Sequence, residues 1–192
     1  MSATNIRQVI KRASQGDAAA ITTLYEAHVD AIYRYIFYRV PTGADAEDLT
    51  AEVFLKMVEG LPGYTFTGAP FETWLYRIAA ARIADFYRRA NRQPQSELTE
   101  FLTDGLPLPE EHIQQNQEID ILRQALQQFS EEEQTILILR FVERKSHKEV
   151  ADILGKTANA VKAAQHRTLV QLAALLGSEE KVRHYLRGDD DA

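Results

Sequence analysis

Near its C-terminus the chain reads His147-Lys-Glu-Val-Ala-Asp-Ile-Leu-Gly-Lys-Thr-Ala-Asn-Ala-Val-Lys-Ala-Ala-Gln-His-Arg167. This stretch has the pattern of two helices joined by a tight turn. Ser146 and Thr157 are good N-cap residues, and Gly155 can adopt the positive φ that the turn requires. Ala151 is small, which allows two helices to cross closely. The pattern predicts a helix-turn-helix unit, whose second helix reads DNA in the major groove.

The second helix of this unit has two dissimilar faces when its residues are placed about 100° apart. One face is predicted to be buried and comprises Val161, Ala164, Thr168, Leu169 and Leu172. The opposite face is small at its centre and polar or basic around it, and comprises Asn159, Lys162, Ala163, His166 and Arg167. Such side chains can bind phosphates and base edges, and Arg140 and Lys148 lie just upstream. The alternative is a simple helical hairpin with a solvated outer face.

Working outward from this unit, the rest of the chain also has helical periodicity. Further helices are predicted from Asp17, a good N-cap, up to Pro41, and over about 42–60, 71–90, 113–128 and 131–142. No segment alternates polar and apolar residues, so no strand is predicted. The sequence therefore predicts an all-α fold.

Residues 91–112 interrupt the helical pattern. They contain three prolines, many polar residues and, after Arg92, only acidic charges, which favours a linker over a packed element. We predict two small helical domains joined by this flexible acidic linker. The boundaries are 1–92 for the first domain, 93–117 for the linker, 118–177 for the helix-turn-helix domain and 178–192 for a charged tail.

The net charge of −6, from 22 basic and 28 acidic side chains, conceals an uneven distribution. Residues 74–92 and 140–170 each carry a net charge of +4, whereas residues 43–59 carry −4 and residues 93–120 carry −7. Charge by segment is the better guide to partners. The two basic segments are candidate nucleic-acid surfaces in spite of the acidic total.

Composition excludes several classes of protein. The absence of cysteine excludes a disulfide framework, a thiolate zinc site and a cysteine nucleophile. No apolar run approaches the roughly 20 residues that span a bilayer. The first 12 residues carry charges but no apolar segment, so they do not form a signal peptide. We expect a soluble, cytoplasmic protein without membrane insertion.

The predicted helix over 43–60 carries a row of carboxylates. Asp48, Glu52 and Glu59 lie within about 60° of Asp45 on a helical projection, while Glu47 points elsewhere. Such a row is either solvated or bound to a basic partner. No accompanying histidine or glycine-rich loop suggests catalysis, and we predict no enzymatic activity, no cofactor and no metal site.

The helix over 71–90 combines arginines with aromatic residues. Trp74, Arg77, Ala81 and Arg88 follow one side of it, and Tyr64, Phe66 and Phe71 come just before or at its start. Aromatic rings beside arginines suit unpaired bases, which stack on the rings while guanidinium groups bind phosphates. Alternatively, these rings pack a small helical core.

The motifs together resemble those of a known family. Gly43-Ala-Asp-Ala-Glu-Asp-Leu-Thr-Ala-Glu-Val-Phe54, Phe71-Glu-Thr-Trp-Leu-Tyr-Arg-Ile-Ala79, Asp85-Phe-Tyr-Arg-Arg89 and the block from Phe129-Ser-Glu-Glu-Glu133 resemble extracytoplasmic-function (ECF) sigma factors of the sigma-70 family. The resemblance covers about residues 16–92 and 118–176. It implies a bacterial transcription initiation factor that directs core RNA polymerase to promoters.

The resemblance also assigns partners to the surfaces above. Asp45, Asp48, Glu52 and Glu47 would bind the β′ clamp helices of the polymerase, and the second domain would bind the β flap. The minus-ten element would be opened and bound by Tyr64, Phe66, Phe71, Trp74, Arg77, Ala81 and Arg88. The minus-thirty-five element would be read by Arg140, Lys148, Asn159, Lys162, Ala163, His166 and Arg167. An anti-sigma factor is a further expected partner, and the linker would thread the polymerase cleft.

Three positions depart from the family pattern and bear on which promoter is read. Ala81 stands where the family usually has asparagine, Ala164 where it often has arginine, and Lys156 where it has an apolar residue. A different class of function also fits the second domain by itself. In that alternative the chain is a stand-alone helix-turn-helix regulator whose N-terminal helices dimerise or receive a signal.

Overall fold

The structure, a computed structural model, describes residues 3–66, 68–90 and 119–177. Within these ranges the regular elements are helical and there is no strand, so the predicted all-α fold is confirmed. The helices are α1 (Ala3–Ala13), α2 (Ala18–Phe37), α3 (Gly43–Gly60), α4 (Phe71–Ala90), α5 (119–126), α6 (Glu131–Leu137), α7 (His147–Leu154) and α8 (Ala158–Leu176). The predicted linker (93–117) and tail (178–192) lie outside the described residues.

Helix starts are set by short polar side chains. Asp17 accepts a hydrogen bond from the Ala20 amide at 3.1 Å and so begins α2, as predicted. Reciprocal capping boxes begin α3 at Thr42, α6 at Ser130 and α7 at Ser146. Each cap satisfies amide groups that have no acceptor within the helix and contributes about 1 kcal/mol.

The first domain packs α2, α3 and α4 around one core. Leu24 and Ile36 of α2, Val53 of α3, and Leu75 and Ala79 of α4 are fully buried there. Burying each of the larger side chains stabilises the fold by about 1.5–3 kcal/mol. This core fixes the relative positions of the acidic helix α3 and the arginine-bearing helix α4.

Helix α1 was not predicted from the sequence. It packs on α2 through Ile10 and Ala13, which are almost fully buried, and through the half-buried Ile6 and Val9. The spacing of these four residues is helical, but charged residues between them shorten the apolar signal. Packing on α2 supplies the stability that an isolated helix of this length lacks.

The second domain consists of α5 to α8. Helix α6 continues as a π-helical turn, Ile138–Val142, in which the Glu143 amide donates to the Ile138 carbonyl at 3.0 Å. The sequence predicted one helix over 131–142 without this wider turn. Residues 135–139 are all buried, which is more than one face of a helix can bury against a single neighbour.

Residues 135–139 are buried on all sides because α6 lies between the two domains. On one side it packs against α8. On the other, Thr135 Oγ1 lies 2.9 Å from Tyr35 Oη of α2, and the Arg39 guanidinium donates to the Gln134 side chain at 3.2 Å. The two helical groups are therefore docked on each other, an arrangement that the sequence did not predict.

Candidate nucleic-acid interface

The helix-turn-helix unit forms as its capping residues predict. The Ser146 hydroxyl accepts from the Glu149 amide at 3.2 Å, and the Glu149 carboxylate accepts from the Ser146 amide at 2.7 Å. Hydrogen bonds from the side chain and the amide of Ser146 hold the pKa of Glu149 below its usual range, because they favour the ionised carboxylate. Gly155 ends α7 with φ +67°, and Thr157 then caps α8 through the Ala160 amide at 3.2 Å.

Helix α8 has the two faces that the sequence predicts. Val161, Thr168 and Leu172 are fully buried, Ala164 is nearly so, and Leu169 is half-buried. The opposite side is exposed along its whole length, and comprises Asn159, Lys162, Ala163, His166 and Arg167. A helix that is anchored through one face and presents exposed basic and polar side chains on the other has the shape and charge that fit a major groove.

Arg140, predicted to contact the DNA backbone, is engaged within the protein. Its guanidinium donates to Gln165 Oε1 at 3.0 Å and to the Lys145 carbonyl. It thus ties the π-helical turn and the following loop to α8. Lys148, in contrast, is exposed at the start of α7. Gln165 was not recognised from the sequence, because its role depends on this contact across 25 residues.

The aromatic residues near α4 form a packed cluster. Tyr64, Phe71 and Trp74 contact one another with ring centroids 4.8–5.5 Å apart. Phe71 is buried, while Tyr64 and Trp74 are half-buried and keep part of their surface open. The Trp74 ring lies so close to α3 that a Cβ on Gly60 would come within 2.8 Å of it. The cluster joins the core to a partly open aromatic surface.

Phe66 lies apart from this cluster. The Arg7 guanidinium of α1 stands 4.3 Å from the centre of its ring, a cation–π contact. Between α1, α2 and the loop is a cavity of about 500 Å³ whose lining includes Ile6, His28, Phe66 and Glu72. Burial lowers the pKa of His28, because the charged imidazolium loses solvation there.

The polar side of α4 is only partly open. Ala81 and Arg88 are exposed, and Arg88 pairs with Asp85 at 2.8 Å. Arg77, also exposed, donates from Nε to the Ile153 carbonyl at 3.3 Å and from Nη2 to the Asp152 carbonyl at 3.4 Å. Arg77 therefore reaches from the first domain to the C-terminal end of α7.

The carboxylates of α3 do not form one uniform surface. Asp45 accepts from the Thr42 amide and hydroxyl, at 3.2 and 2.6 Å, as part of the cap of α3. Glu47 and Asp48 are exposed, and Glu52, half-exposed, lies 3.8 Å from Arg89. Glu59 pairs with Lys56 at 2.8 Å.

Two apolar residues of α3 were not predicted as part of its outer surface. Leu55 is 58% and Val58 40% exposed, and both lie on the helix face that carries Asp48. Protein interfaces combine apolar contacts at their centre with a polar rim, and Leu55 and Val58 beside the carboxylates could provide such contacts. The signal was present in the sequence, because Leu55 and Val58 fall outside the predicted apolar sector of Leu49, Val53 and Met57.

The described residues form neither a metal centre nor a membrane span. In the ranges that the structure describes, no three His, Cys, Asp or Glu residues are grouped so as to hold a metal ion. None of the helices described is both long and apolar enough to cross a bilayer.

Comparison with protein families identifies both domains. Residues 24–93 match the family model Sigma-70 region 2, and residues 119–172 match Sigma-70, region 4. The first match covers α3, the aromatic cluster and α4, and the second covers the helix-turn-helix unit. Both regions of a sigma-70 factor are thus present in one chain and in the expected order.

Curated relatives match over most of the chain. It is 32% identical to the ECF RNA polymerase sigma factor BldN of Streptomyces coelicolor, over 91% of this chain and 67% of the relative. It is 35% identical to ShbA of Streptomyces griseus, another ECF sigma factor, over 90% of this chain and 95% of the relative. It is 33% identical to the ECF sigma factor SigD of Mycobacterium tuberculosis, over 90% of this chain and 84% of the relative.

Solved structures share the fold at lower identity. CnrH, solved in complex with the cytosolic domain of CnrY, matches with a TM-score of 0.67 at 22% identity, over 89% of this chain and 96% of that chain. The sigma factor RpoE of Bartonella quintana, solved with the anti-sigma factor NepR, matches with a TM-score of 0.58 at 18% identity. The match covers 81% of this chain and 96% of that chain.

The chain belongs to the ECF sigma factors of the sigma-70 family. It is a transcription initiation factor, and sigma factors of this family act without an enzymatic reaction of their own. The match of the N-terminal helices to region 2 favours this function over a stand-alone helix-turn-helix regulator with a dimerisation domain.

Proposed function

We propose that this chain directs core RNA polymerase to its promoters through three separate surfaces. Helix α8 reads the minus-thirty-five duplex, the 63–70 loop with α4 binds the opened minus-ten element, and α3 binds the polymerase. The chain makes and breaks no covalent bond, uses no cofactor or metal, and works in the cytoplasm. The observation that carries this proposal is the fully exposed basic and polar face of α8 opposite a buried one.

The exposed face of α8 would recognise the minus-thirty-five DNA through charged and polar side chains and through a close approach at a small residue. Lys162 and Arg167 supply phosphate or guanine contacts, and Asn159 can pair with adenine. The small side chain of Ala163 lets the helix approach the bases closely. Arg140 acts indirectly, because its bonds to Gln165 and the Lys145 carbonyl brace α8. Lys148 contacts the DNA backbone.

The minus-ten surface combines the aromatic cluster with arginines. The half-buried Tyr64 and Trp74 can stack with unpaired bases through the exposed part of their rings, and Phe66 offers a further ring on the loop. Phe71 supports the cluster from the core. Arg77 and Arg88 supply phosphate contacts along α4, with the exposed Ala81 between them.

The polymerase-binding surface is the exposed face of α3. Glu47, Asp48 and Glu52 are directed to the β′ clamp helices, and Leu55 and Val58 add apolar contact beside them. Asp45 contributes its charge, and its carboxylate also accepts hydrogen bonds from Thr42, the N-cap residue of α3. The second domain binds the β flap. An anti-sigma factor is a further partner, as in the complex of RpoE with NepR.

Run-off transcription with core polymerase, coupled to mapping of transcription start sites, tests the whole proposal. We expect promoter-specific transcripts from the reconstituted holoenzyme. Replacing Lys162 and Arg167 by alanine should abolish them at these promoters, whereas Gln171→Ala, an exposed change on the same helix, should not. Full promoter-dependent activity of the Lys162→Ala, Arg167→Ala variant would contradict the role given to α8.

A pull-down with core polymerase tests the α3 surface. Asp48→Lys with Glu52→Lys should abolish retention without loss of helical content, because neither residue caps the helix. Asp45→Lys should weaken retention and also lower the stability of α3 by about 1 kcal/mol, since the hydrogen bonds that the Asp45 carboxylate accepts from the Thr42 amide and hydroxyl are lost. Glu26→Lys with Asp30→Lys, exposed acids of α2, is the matched control. Retention of the Asp48, Glu52 variant at the level of this control would contradict the assignment.

A further inference from the structure

Helix α1 lies before the residues that match Sigma-70 region 2, which begin at residue 24. It is basic, because residues 1–16 include Arg7, Lys11 and Arg12 and no acidic residue. Ile10 and Ala13 are buried where α1 packs on α2, and this packing fixes the rotation of the helix. Arg7 and Lys11, four residues apart, therefore lie side by side on its exposed surface.

Two of these three charges have no acidic partner in the part of the chain that the structure describes. Arg12 pairs with Asp17 at 2.7 Å, but neither Arg7 nor Lys11 forms an ion pair within residues 3–66, 68–90 and 119–177. Like charges four residues apart on a helix repel each other and destabilise it slightly. A bound anion would remove this repulsion. The exposed pair therefore indicates a negatively charged ligand for α1.

Arg7 also connects α1 to the loop before α4. Its guanidinium stands over the Phe66 ring, 4.3 Å from the ring centre, and the ring is half-buried, so part of it stays accessible. Phe66 and Ile6 of α1 line the same cavity of about 500 Å³. A ring held in place by a cation–π contact loses less conformational freedom when a ligand stacks on it. Arg7 thus prepares Phe66 for stacking and places positive charge beside it.

We propose that α1 is a further contact element for single-stranded promoter DNA. Arg7 positions the Phe66 ring for an unpaired base, and Arg7 and Lys11 bind phosphates of the same strand. A guanidinium can do both, because its face lies on the ring while the N–H groups at its edge stay available to a phosphate. The ligand is a single strand, since stacking on Phe66 needs an unpaired base. This inference rests on the proposed function in one respect, namely that the 63–70 loop binds opened minus-ten DNA.

The phosphate contacts are tested by the affinity of the full chain for fluorescein-labelled oligothymidylate, measured by anisotropy at several salt concentrations. Arg7→Gln and Lys11→Gln should each reduce the slope of log affinity against log salt by about 0.7, the value for one phosphate of a single strand. Arg12→Gln removes the same charge from the same helix, but from a side chain paired with Asp17, and should leave the slope unchanged. Thermal melts followed by circular dichroism establish that each variant is folded. Equal slopes for all four proteins, or no binding by the native chain at low salt, would overturn the proposal.

The positioning role of Arg7 is tested by a double-mutant cycle with Phe66. Phe66→Leu should weaken binding of oligothymidylate at least about fivefold, because one base loses its stacking partner. Arg7→Lys keeps the charge and the salt slope but loses the planar group on the ring, so it should also weaken binding. Added to Phe66→Leu, it should cause no further loss. Independent losses in the double variant, or native affinity for Arg7→Lys, would overturn the positioning role.

Arg88→Gln on α4 separates this inference from the proposed function. If Arg88→Gln reduces the salt slope while Arg7→Gln and Lys11→Gln do not, the role of α1 is wrong and the proposed minus-ten surface of α4 is supported. If only the α1 variants reduce it, the phosphate contact of α4 is contradicted and that of α1 is supported. In the holoenzyme, permanganate reactivity of unpaired thymines at a mapped promoter should fall for Arg7→Gln and Lys11→Gln but not for Arg12→Gln. Native reactivity of both α1 variants would overturn their role in the open promoter complex.

Discussion

Gly60 and Trp74 show how one residue positions the aromatic cluster. Because a Cβ at position 60 would stand 2.8 Å from Trp74 Cζ2, Gly60→Ala forces the indole ring to move. Overpacking costs about 1–3 kcal/mol, and the better helix propensity of alanine offsets about 1 kcal/mol of this. Trp74 is the single tryptophan, so we expect a shift of its fluorescence emission together with a lower urea midpoint.

The matched control for this prediction is Gly63→Ala. A Cβ at position 63 meets nothing within 4 Å, and its φ is not positive, so the change should leave the emission unaltered. It should also stabilise the protein by about 0.4–1 kcal/mol by restricting the unfolded chain. An unchanged emission maximum for Gly60→Ala would show that the indole does not lie over the end of α3.

At the scale of the element, the start of α7 makes the helix-turn-helix unit sensitive to acid. Hydrogen bonds from Ser146 lower the pKa of Glu149 in the folded state, so the ionised carboxylate stabilises the fold above its unfolded pKa. This stabilisation is lost as the pH is lowered from neutral through the unfolded pKa of Glu149 and then through its lowered folded pKa. We expect Glu149→Gln to be less stable at neutral pH and to lose less stability on acidification.

Urea denaturation across this pH range measures the effect. The curves of the native chain and Glu149→Gln should converge at low pH, where both side chains are uncharged. Asp152→Asn, an exposed change on the same helix away from its N-terminus, should keep the acid dependence of the native chain. Parallel curves for the native chain and Glu149→Gln would show that the capping box does not couple this helix to pH.

For the whole molecule, local signals predicted the helices and missed the contacts between them. Asp17, Thr42, Ser146 and Thr157 act on amides three residues away, so their caps could be predicted from neighbouring residues. The faces of α8 followed from helical periodicity alone. Helix α1 was missed because its apolar residues are few and separated by charges, and no residue marked the π-helical turn.

The docking of the domains could not be predicted in the same way. Arg34 and Glu143 are 109 residues apart, and the chain offers 22 basic and 28 acidic side chains as candidate partners. Nothing in the local sequence indicates that Arg77 donates hydrogen bonds to the carbonyls of α7 and is not simply available to DNA. The sites on α3, α4 and α8 were therefore predictable as surfaces, while their accessibility depends on tertiary packing.

The docked chain should bind promoter DNA weakly until core polymerase is present. Each basic segment offers only a few phosphate contacts, the acidic residues of 93–120 oppose them, and the minus-ten surface is partly occupied. In a nuclease protection assay we expect the holoenzyme, but not the free chain, to protect a promoter found by start-site mapping. For the holoenzyme, Lys162→Ala and Arg167→Ala should each reduce the slope of log affinity against log salt by about 1, if each side chain binds one phosphate. Tight, promoter-specific protection by the free chain at physiological salt would instead support a regulator that works without the polymerase.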